Sequence, residues 1–388
     1  MKLLFVVSSI HSRSKGLGGH FYSLIETISQ LENEHTIYLI NIGTFPSQAL
    51  KACNIKSNIK YIIHEKIAFY KIYKSLRIEI NNFNPDILHA FDINAFLWVR
   101  LFANKIKICI TKCGGVNQQY YPYSPHLIMF SQENINYYKK KSKFKNSDFY
   151  LIPNRIKEFS DDNQRIRELT KLLGISNKFK ILRISRIGEY YKKSLIQMIN
   201  LINDLSKDNI DCCGIIIGTI EDNSTFEILN NLANGKNVYI INEKFYTSNA
   251  KELIAISDAV IGTGRSFMEA AAKEKVLLVP GPFRYPVVMS DSNFVPAFFY
   301  NFSERIIFPD FDESNNYSEI KALIGSSEKQ EKSTSFAKEI FQEYFDSKMI
   351  PKKYNHVYDS LPNTYKDKMM DLLINFIYVL RVYLKKSS

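Results

Sequence analysis

The sequence predicts an α/β protein built from two doubly wound, Rossmann-like parallel sheets. Short apolar runs recur along the chain, segments of helical periodicity separate them, and the alternation starts again after a polar stretch near residue 155. At 388 residues the chain can form two domains, each able to bury its own core. Apolar residues make up 45% and charged residues 23%, ordinary globular usage that excludes a disordered tail or a fibrous repeat.

In the expected first domain, 1–154, the apolar runs fall at 3–7, 36–40, 59–63, 87–90, 106–110 and 127–130. Helical patterns lie between them at 21–31, 68–82 and 95–102. Runs without polar alternation suit parallel strands covered on both faces. Met1-Lys2-Leu3-Leu4-Phe5-Val6-Val7 has an apolar run too short for the core of a signal peptide, so it reads as the first strand. Residues 155–178 are polar, charge-mixed and read as a linker. The pattern resumes with strands at 180–184, 214–218, 238–241, 259–261 and 276–279 and helices at 193–205, 225–232, 250–257 and 266–272. This second domain is expected over 179–330, with a helical segment, 331–388, returning to the first. Two such sheets would face each other across a cleft at the carboxyl ends of their strands, where open α/β sheets bind ligands.

Lysine and arginine exceed aspartate and glutamate by 12, which points to an anionic partner: nucleic acid, anionic lipid or a phosphorylated metabolite. The five cysteines are scattered, with no disulfide framework and no Cys/His cluster for a metal, so a reducing, cytoplasmic setting is expected. No apolar run approaches the ~18–20 residues of a membrane span, leaving at most peripheral contact with a membrane.

Three constellations carry chemistry. Lys15-Gly16-Leu17-Gly18-Gly19-His20 follows the first strand and opens a helix, a place where backbone approaches an anion; it reads equally as a tight turn. Arg183-Ile184-Ser185-Arg186 ends a strand and Lys192-Lys193-Ser194 opens the next helix. Arg186 and Lys193 can converge there on one phosphate group, or form a solvated basic rim. Ile261-Gly262-Thr263-Gly264-Arg265-Ser266-Phe267-Met268-Glu269 runs from a strand through a Gly-x-Gly turn into a helix. Backbone N–H groups at that helix start suit a diphosphate, Arg265 can add charge and Glu269 suits ribose hydroxyls; the alternative is a capped helix with a dipole-favoured carboxylate.

Other features are weaker. Asp310-Phe311-Asp312 has a metal-binding pattern but reads as a surface loop, and His89 and Asp92 follow a strand at its cleft-facing end, where a functional loop and a satisfied structural histidine fit equally. Tyr137-Tyr138-Lys139-Lys140-Lys141-Ser142-Lys143 mixes aromatics and bases as single-strand binders do, yet reads better as a solvated helix face, so no nucleic-acid partner is expected. Residues 369–386 form an amphipathic, basic helix, suited either to packing on the domains or to lying on an anionic membrane.

In order and spacing these pieces resemble GT-B glycosyltransferases, specifically the retaining, family 4-like branch of bacterial polysaccharide assembly. The resemblance rests on Gly18-Gly19; Pro85-Asp86-Ile87-Leu88-His89; Ile152-Pro153-Asn154; Ser185-Arg186 with Lys193-Ser194; Ser257-Asp258-Ala259-Val260; and Glu269-Ala270. It implies transfer from a nucleotide-sugar to a lipid-linked or surface oligosaccharide, such as a polyprenyl-diphosphate-linked acceptor, in capsule, O-antigen or lipopolysaccharide synthesis. By the same resemblance Arg186 and Lys193 are catalytic and need no metal or cofactor. Gly18, Gly19, Asn242, Glu243, Gly264, Arg265, Ser266, Phe267 and Glu269 would bind the donor, with His89, Asp92 and Cys113 on the acceptor side. The sequence departs from the pattern at Ile261, where such enzymes carry a first glutamate, and at Cys113, where they carry a histidine. A non-catalytic scaffold of the same fold and a sugar-nucleotide epimerase are the alternatives.

Overall fold

The computed structural model describes residues 1–10, 18–64, 68–309, 311–363 and 369–384. The chain divides into two compact units, Met1–Arg155 with Ser347–Ser388, and Ile156–Asp346.

The first unit holds β1 (Lys2–Ser9), β2 (Thr36–Gly43), β3 (Asn58–Ile63), β4 (Ile87–Ala90), β5 (Lys107–Lys112), β6 (His126–Met129) and β7 (Asp148–Leu151). They form one parallel sheet in the order β3-β2-β1-β4-β5-β6-β7. The crossovers carry α1 (Gly19–Leu31), α2 (Gln48–Lys51), α3 (Phe69–Phe83), α4 (Ile93–Arg100) and α5 (Gln132–Lys139). Side chains alternate along a strand, so β1 feeds two cores. Leu4 and Val6 pack with α3 and α4, while Leu3, Phe5 and Val7 pack with α1. The strand β7 has no counterpart in the sequence pattern: it is a four-residue edge strand, only partly buried, whose Asp148 breaks the apolar run.

The second unit repeats the design with β8 (Phe179–Ile184), β9 (Cys212–Ile217), β10 (Val238–Ile241), β11 (Ala259–Ile261), β12 (Val276–Val279) and β13 (Val287–Val288). The order is β10-β9-β8-β11-β12-β13, parallel except for β13, which closes one edge antiparallel to β12. Its helices are α6 (Asn163–Leu173), α7 (Lys192–Lys207), α8 (Asn223–Ala233), α9 (Lys244–Thr247), α10 (Arg265–Ala272), α11 (Asp291–Phe299), α12 (Glu313–Ile324) and α13 (Ser327–Ile340). Nearly half of the stretch that reads as a linker is α6. Asp162 caps it by accepting from the Arg165 N–H at 3.0 Å, and Gly174 ends it at φ +64°. Three of its four apolar residues, Ile166, Leu169 and Leu173, pack inward at helical spacing among charges that hide them.

The chain then returns to the first unit as α14 (Ile350–Ser360) and α15 (Met369–Leu384). Ile350, Tyr354, Val357 and Tyr358 lie on one face of α14 and are buried in the core that β1 shares with α1. Tyr358 reaches His89, the third residue of β4. The ring is fully enclosed, with Nδ1 2.9 Å from the Tyr358 hydroxyl and Nε2 2.7 Å from Thr111 Oγ1. One nitrogen donates and the other accepts, so the neutral ring satisfies both hydroxyls.

Burial lowers the His89 pKa from its ordinary 6.5 to about 3. Below pH 6.5 the unfolded chain therefore takes up a proton that the folded chain refuses, and stability falls as pH falls from 6.5 towards 3. The unfolding free energy from urea titrations is expected to drop by about 2 kcal/mol from this group between pH 7 and pH 5. In His89→Gln that part of the slope disappears.

Candidate active site

In each sheet the strand order reverses beside the first strand of the unit, between β1 and β4 and between β8 and β11. Crevices at the carboxyl ends of such strands are where α/β sheets hold ligands. In the second unit this point is organised by Arg183. Its guanidinium is completely buried and its donors are shared among three segments. Nη1 donates to the Ile261 carbonyl at 3.0 Å and to Thr263 Oγ1 at 3.2 Å; Nη2 donates to Ser194 Oγ at 3.1 Å and to Glu304 Oε1 at 2.9 Å. Ser194 Oγ lies 2.6 Å from the same carboxylate oxygen. One ion pair thus ties the end of β8, the first turn of α7, the turn after β11 and the segment after α11. Burial raises the Glu304 pKa above the usual carboxylate value even beside Arg183.

Around this anchor stand the residues the sequence singles out. Lys193 is exposed in the first turn of α7, where the helix end also favours negative charge. Arg186 follows β8, half-exposed, with Nη1 2.6 Å from Glu221 Oε1 and its guanidinium 5.5 Å from the centre of the Tyr191 ring. After β11 the backbone closes tightly: a Cβ on Gly262 would stand 2.5 Å from the Phe267 Cα. Gly264, at φ +49° and ψ −117°, then caps α10 in a conformation few other residues adopt. The Ser266 hydroxyl accepts from the Thr263 N–H at 3.0 Å and braces this turn. Phe267 is buried and stacked on Phe302 at 3.8 Å. Arg265 Nε donates to Glu269 Oε1 at 2.8 Å across one helical turn, both side chains largely covered. Asn242 and Glu243 follow β10; Glu243 is exposed and its carbonyl accepts from the first turn of α9.

In the first unit Gly18 and Gly19 open α1; the preceding Lys15, Gly16 and Leu17 lie outside the described residues. Asp92 caps α4 through the Ala95 N–H and also accepts from the Ser8 N–H and hydroxyl, both at 2.7 Å, clipping β1 to the end of β4. Cys113 Sγ lies 3.6 Å from the Phe91 carbonyl, and burial raises its thiol pKa. His89, enclosed as described above, presents no atom outward: a strand residue in a sheet covered on both faces points into a core. Asp310 lies outside the described residues, while Asp312 caps α12. Among the described residues no group of three or more His, Cys, Asp or Glu side chains could hold a metal ion.

No family model and no curated protein matches the chain. Solved structures do. A glycosyltransferase from Rickettsia africae superposes with a TM-score of 0.68 at 16% identity, covering 92% of this chain and 97% of that one. Anabaena Alr3699/HepE, in complex with UDP-glucose, gives 0.65 at 15% identity over 93% and 100%. WaaG, a glycosyltransferase of lipopolysaccharide biosynthesis, gives 0.58 at 12% identity over 93% and 100%. This is the GT-B fold. Within the GT-B frame, Ile261 is a buried residue of β11 whose carbonyl takes a bond from Arg183, so the position without a glutamate contributes backbone only.

Sequence reasoning missed the pairing at the centre of this site. Arg183 carried a signal, an arginine flanked by apolar residues on a central strand, which must find acceptors inside. Glu304 carried none, because it lies far along the chain in a segment without periodicity. Removing one partner of such a pair strands the other charge in the core. Glu304→Ala is expected to lower the unfolding free energy by about 3–5 kcal/mol. The double variant Arg183→Met/Glu304→Leu recovers most of that loss, which a double-mutant cycle in urea measures.

Proposed function

We propose that this protein is a glycosyltransferase that moves a sugar from a nucleotide-sugar to a lipid-linked or surface oligosaccharide in bacterial polysaccharide synthesis. The observation that carries this reading is that Arg183 ties the first turn of α7 to the turn before α10 at the strand-order reversal between β8 and β11, with Lys193 exposed at the start of α7 and Arg186 just beyond β8. Aligned amides and cations at that place match a diphosphate. The glycosyltransferase neighbours, one of them holding UDP-glucose, support the same donor class, and the lipopolysaccharide role of WaaG supports the acceptor class.

In this reading the Gly264–Phe267 amides, braced by Ser266, hold a phosphate. Glu269, steadied by Arg265, accepts from ribose hydroxyls. Asn242 and Glu243 flank the base, and Gly18 and Gly19 retain a donor-side role. The acceptor hydroxyl attacks the anomeric carbon; the bond from that carbon to the phosphate oxygen breaks, and the nucleoside diphosphate leaves with the electron pair. Arg186 and Lys193 stabilise the charge that grows on the leaving phosphate, an electrostatic contribution that requires no catalytic metal in this scheme. In a retaining reaction the leaving phosphate takes the acceptor proton, and no protein base is needed. Asp92 and Cys113 shape the acceptor side through the backbone they fix.

The test is a thermal-shift and turnover screen against UDP-, GDP-, ADP- and dTDP-sugars. One donor is expected to raise the melting temperature and to release nucleoside diphosphate slowly even without acceptor. Lys193→Ala and Arg186→Ala should each lower turnover by about 10²–10³-fold, whereas Glu269→Ala chiefly weakens donor binding. A wild type that no donor stabilises and that turns none over would instead make this GT-B chain a scaffold.

A further inference from the structure

The last helix of the first unit is built the wrong way out for a surface helix in water. On α15 the polar residues face inward. Asp371 Oδ2 accepts from Arg100 Nη2 at 2.9 Å and from the Tyr123 N–H at 2.8 Å, Asp371 Oδ1 pairs with Lys143, and Asn375 Oδ1 accepts from Arg100 Nη1 at 3.2 Å. Val379 joins them on the buried side, against Leu97 and Ile10. The outward side is apolar: Met369, Met370, Leu373, Ile374, Ile377 and Leu384 are 39% to 84% exposed. At about 100° per residue these six share one face, with Arg381 among them and no carboxylate. Contiguous apolar surface of this kind marks an interaction site rather than a solvated face.

The structure also joins two features that stand far apart in the sequence. Lys143, which pairs with Asp371, belongs to the run Lys139-Lys140-Lys141-Ser142-Lys143-Phe144-Lys145, so a segment of five lysines without an acid meets the start of α15 through that pair, with Lys139, Lys140 and Lys145 exposed. Tyr120 links the two further, donating to the Asp371 carbonyl at 3.0 Å and packing on Tyr378 at 5.8 Å.

We propose that this composite surface, the outward face of α15 with the 139–145 lysines, docks on an anionic lipid bilayer. Charge complementarity selects the occupant. Anionic headgroups attract the lysine run while the stripe enters the acyl boundary. At 16 residues α15 spans about 24 Å, short of the ~30 Å hydrocarbon core, and no helix among the described residues is long and apolar enough to cross a membrane. The helix lies in the interface, and this docking does not depend on the donor-site reading.

Flotation of the full chain with phosphatidylcholine vesicles, with and without 30% phosphatidylglycerol, tests the proposal. The protein is expected to float with the anionic vesicles and not with pure phosphatidylcholine. Leu373→Gln/Ile377→Gln, changes at exposed positions that leave the melting temperature unchanged, should reduce the bound fraction about tenfold or more. Lys139→Gln/Lys140→Gln should weaken binding about fivefold per lysine at low salt. The proposal is overturned if the wild type stays unbound at 0.1 M salt, or if the stripe variant floats as well as the wild type. It is equally overturned if light scattering shows a dimer that the stripe variant dissolves.

Discussion

A guanidinium enclosed in a sheet must find acceptors or forfeit several kcal/mol. The acceptors of Arg183 lie on the turn after β11, the first turn of α7 and the segment that follows α11. None of these is its neighbour in sequence. The pair with Glu304 therefore does more than neutralise a charge: it determines where two helix N-termini stand relative to the end of β8. Of the exposed residues proposed to meet a diphosphate, Arg186 rests on Glu221 and the Tyr191 ring, and Lys193 stands at the start of α7. Their placement follows from buried neighbours, Ser194 one position on and Arg183 three positions back.

The first unit solves the same problem with smaller groups. Where its strand order reverses, Asp92 clips the end of β1 to the start of α4, and the neighbouring β4 residue His89 is held between Thr111 and Tyr358. Both units thus put a hydrogen-bonded polar group beside the point where the strand order reverses. The chemistry differs because the demand differs: a neutral imidazole suits a core, whereas the second unit concentrates cations.

Much of the architecture was legible in the sequence because buried parallel strands are apolar on both faces, and the central strands β1, β4, β11 and β12 stand out for that reason. What escaped detection lies at edges or under charge. The edge strands β7 and β13 lack a full apolar run, and α6 hides three apolar positions among charged ones. The Gly-x-Gly turn and the helix start at Lys192–Lys193 were legible as local structure. Glu304 was not, since a carboxylate brought in by tertiary packing leaves no spacing to read. The character of α15 was legible only in part: periodicity showed two faces, but not that the carboxylate would turn inward to Arg100 and leave the apolar face outside.

The second unit is one unbroken stretch, Ile156–Asp346, placed inside the sequence of the first. During synthesis the first sheet is made early, yet Tyr358, the hydroxyl that meets His89, emerges only after the whole second unit has been translated. Until then the core under α1 lacks the α14 face that closes it, and it gapes around an imidazole with one partner missing. Loss of residues after 346 would accordingly injure the amino-terminal sheet rather than fray a distant end, and the nascent first unit is the part of this chain most in need of a chaperone.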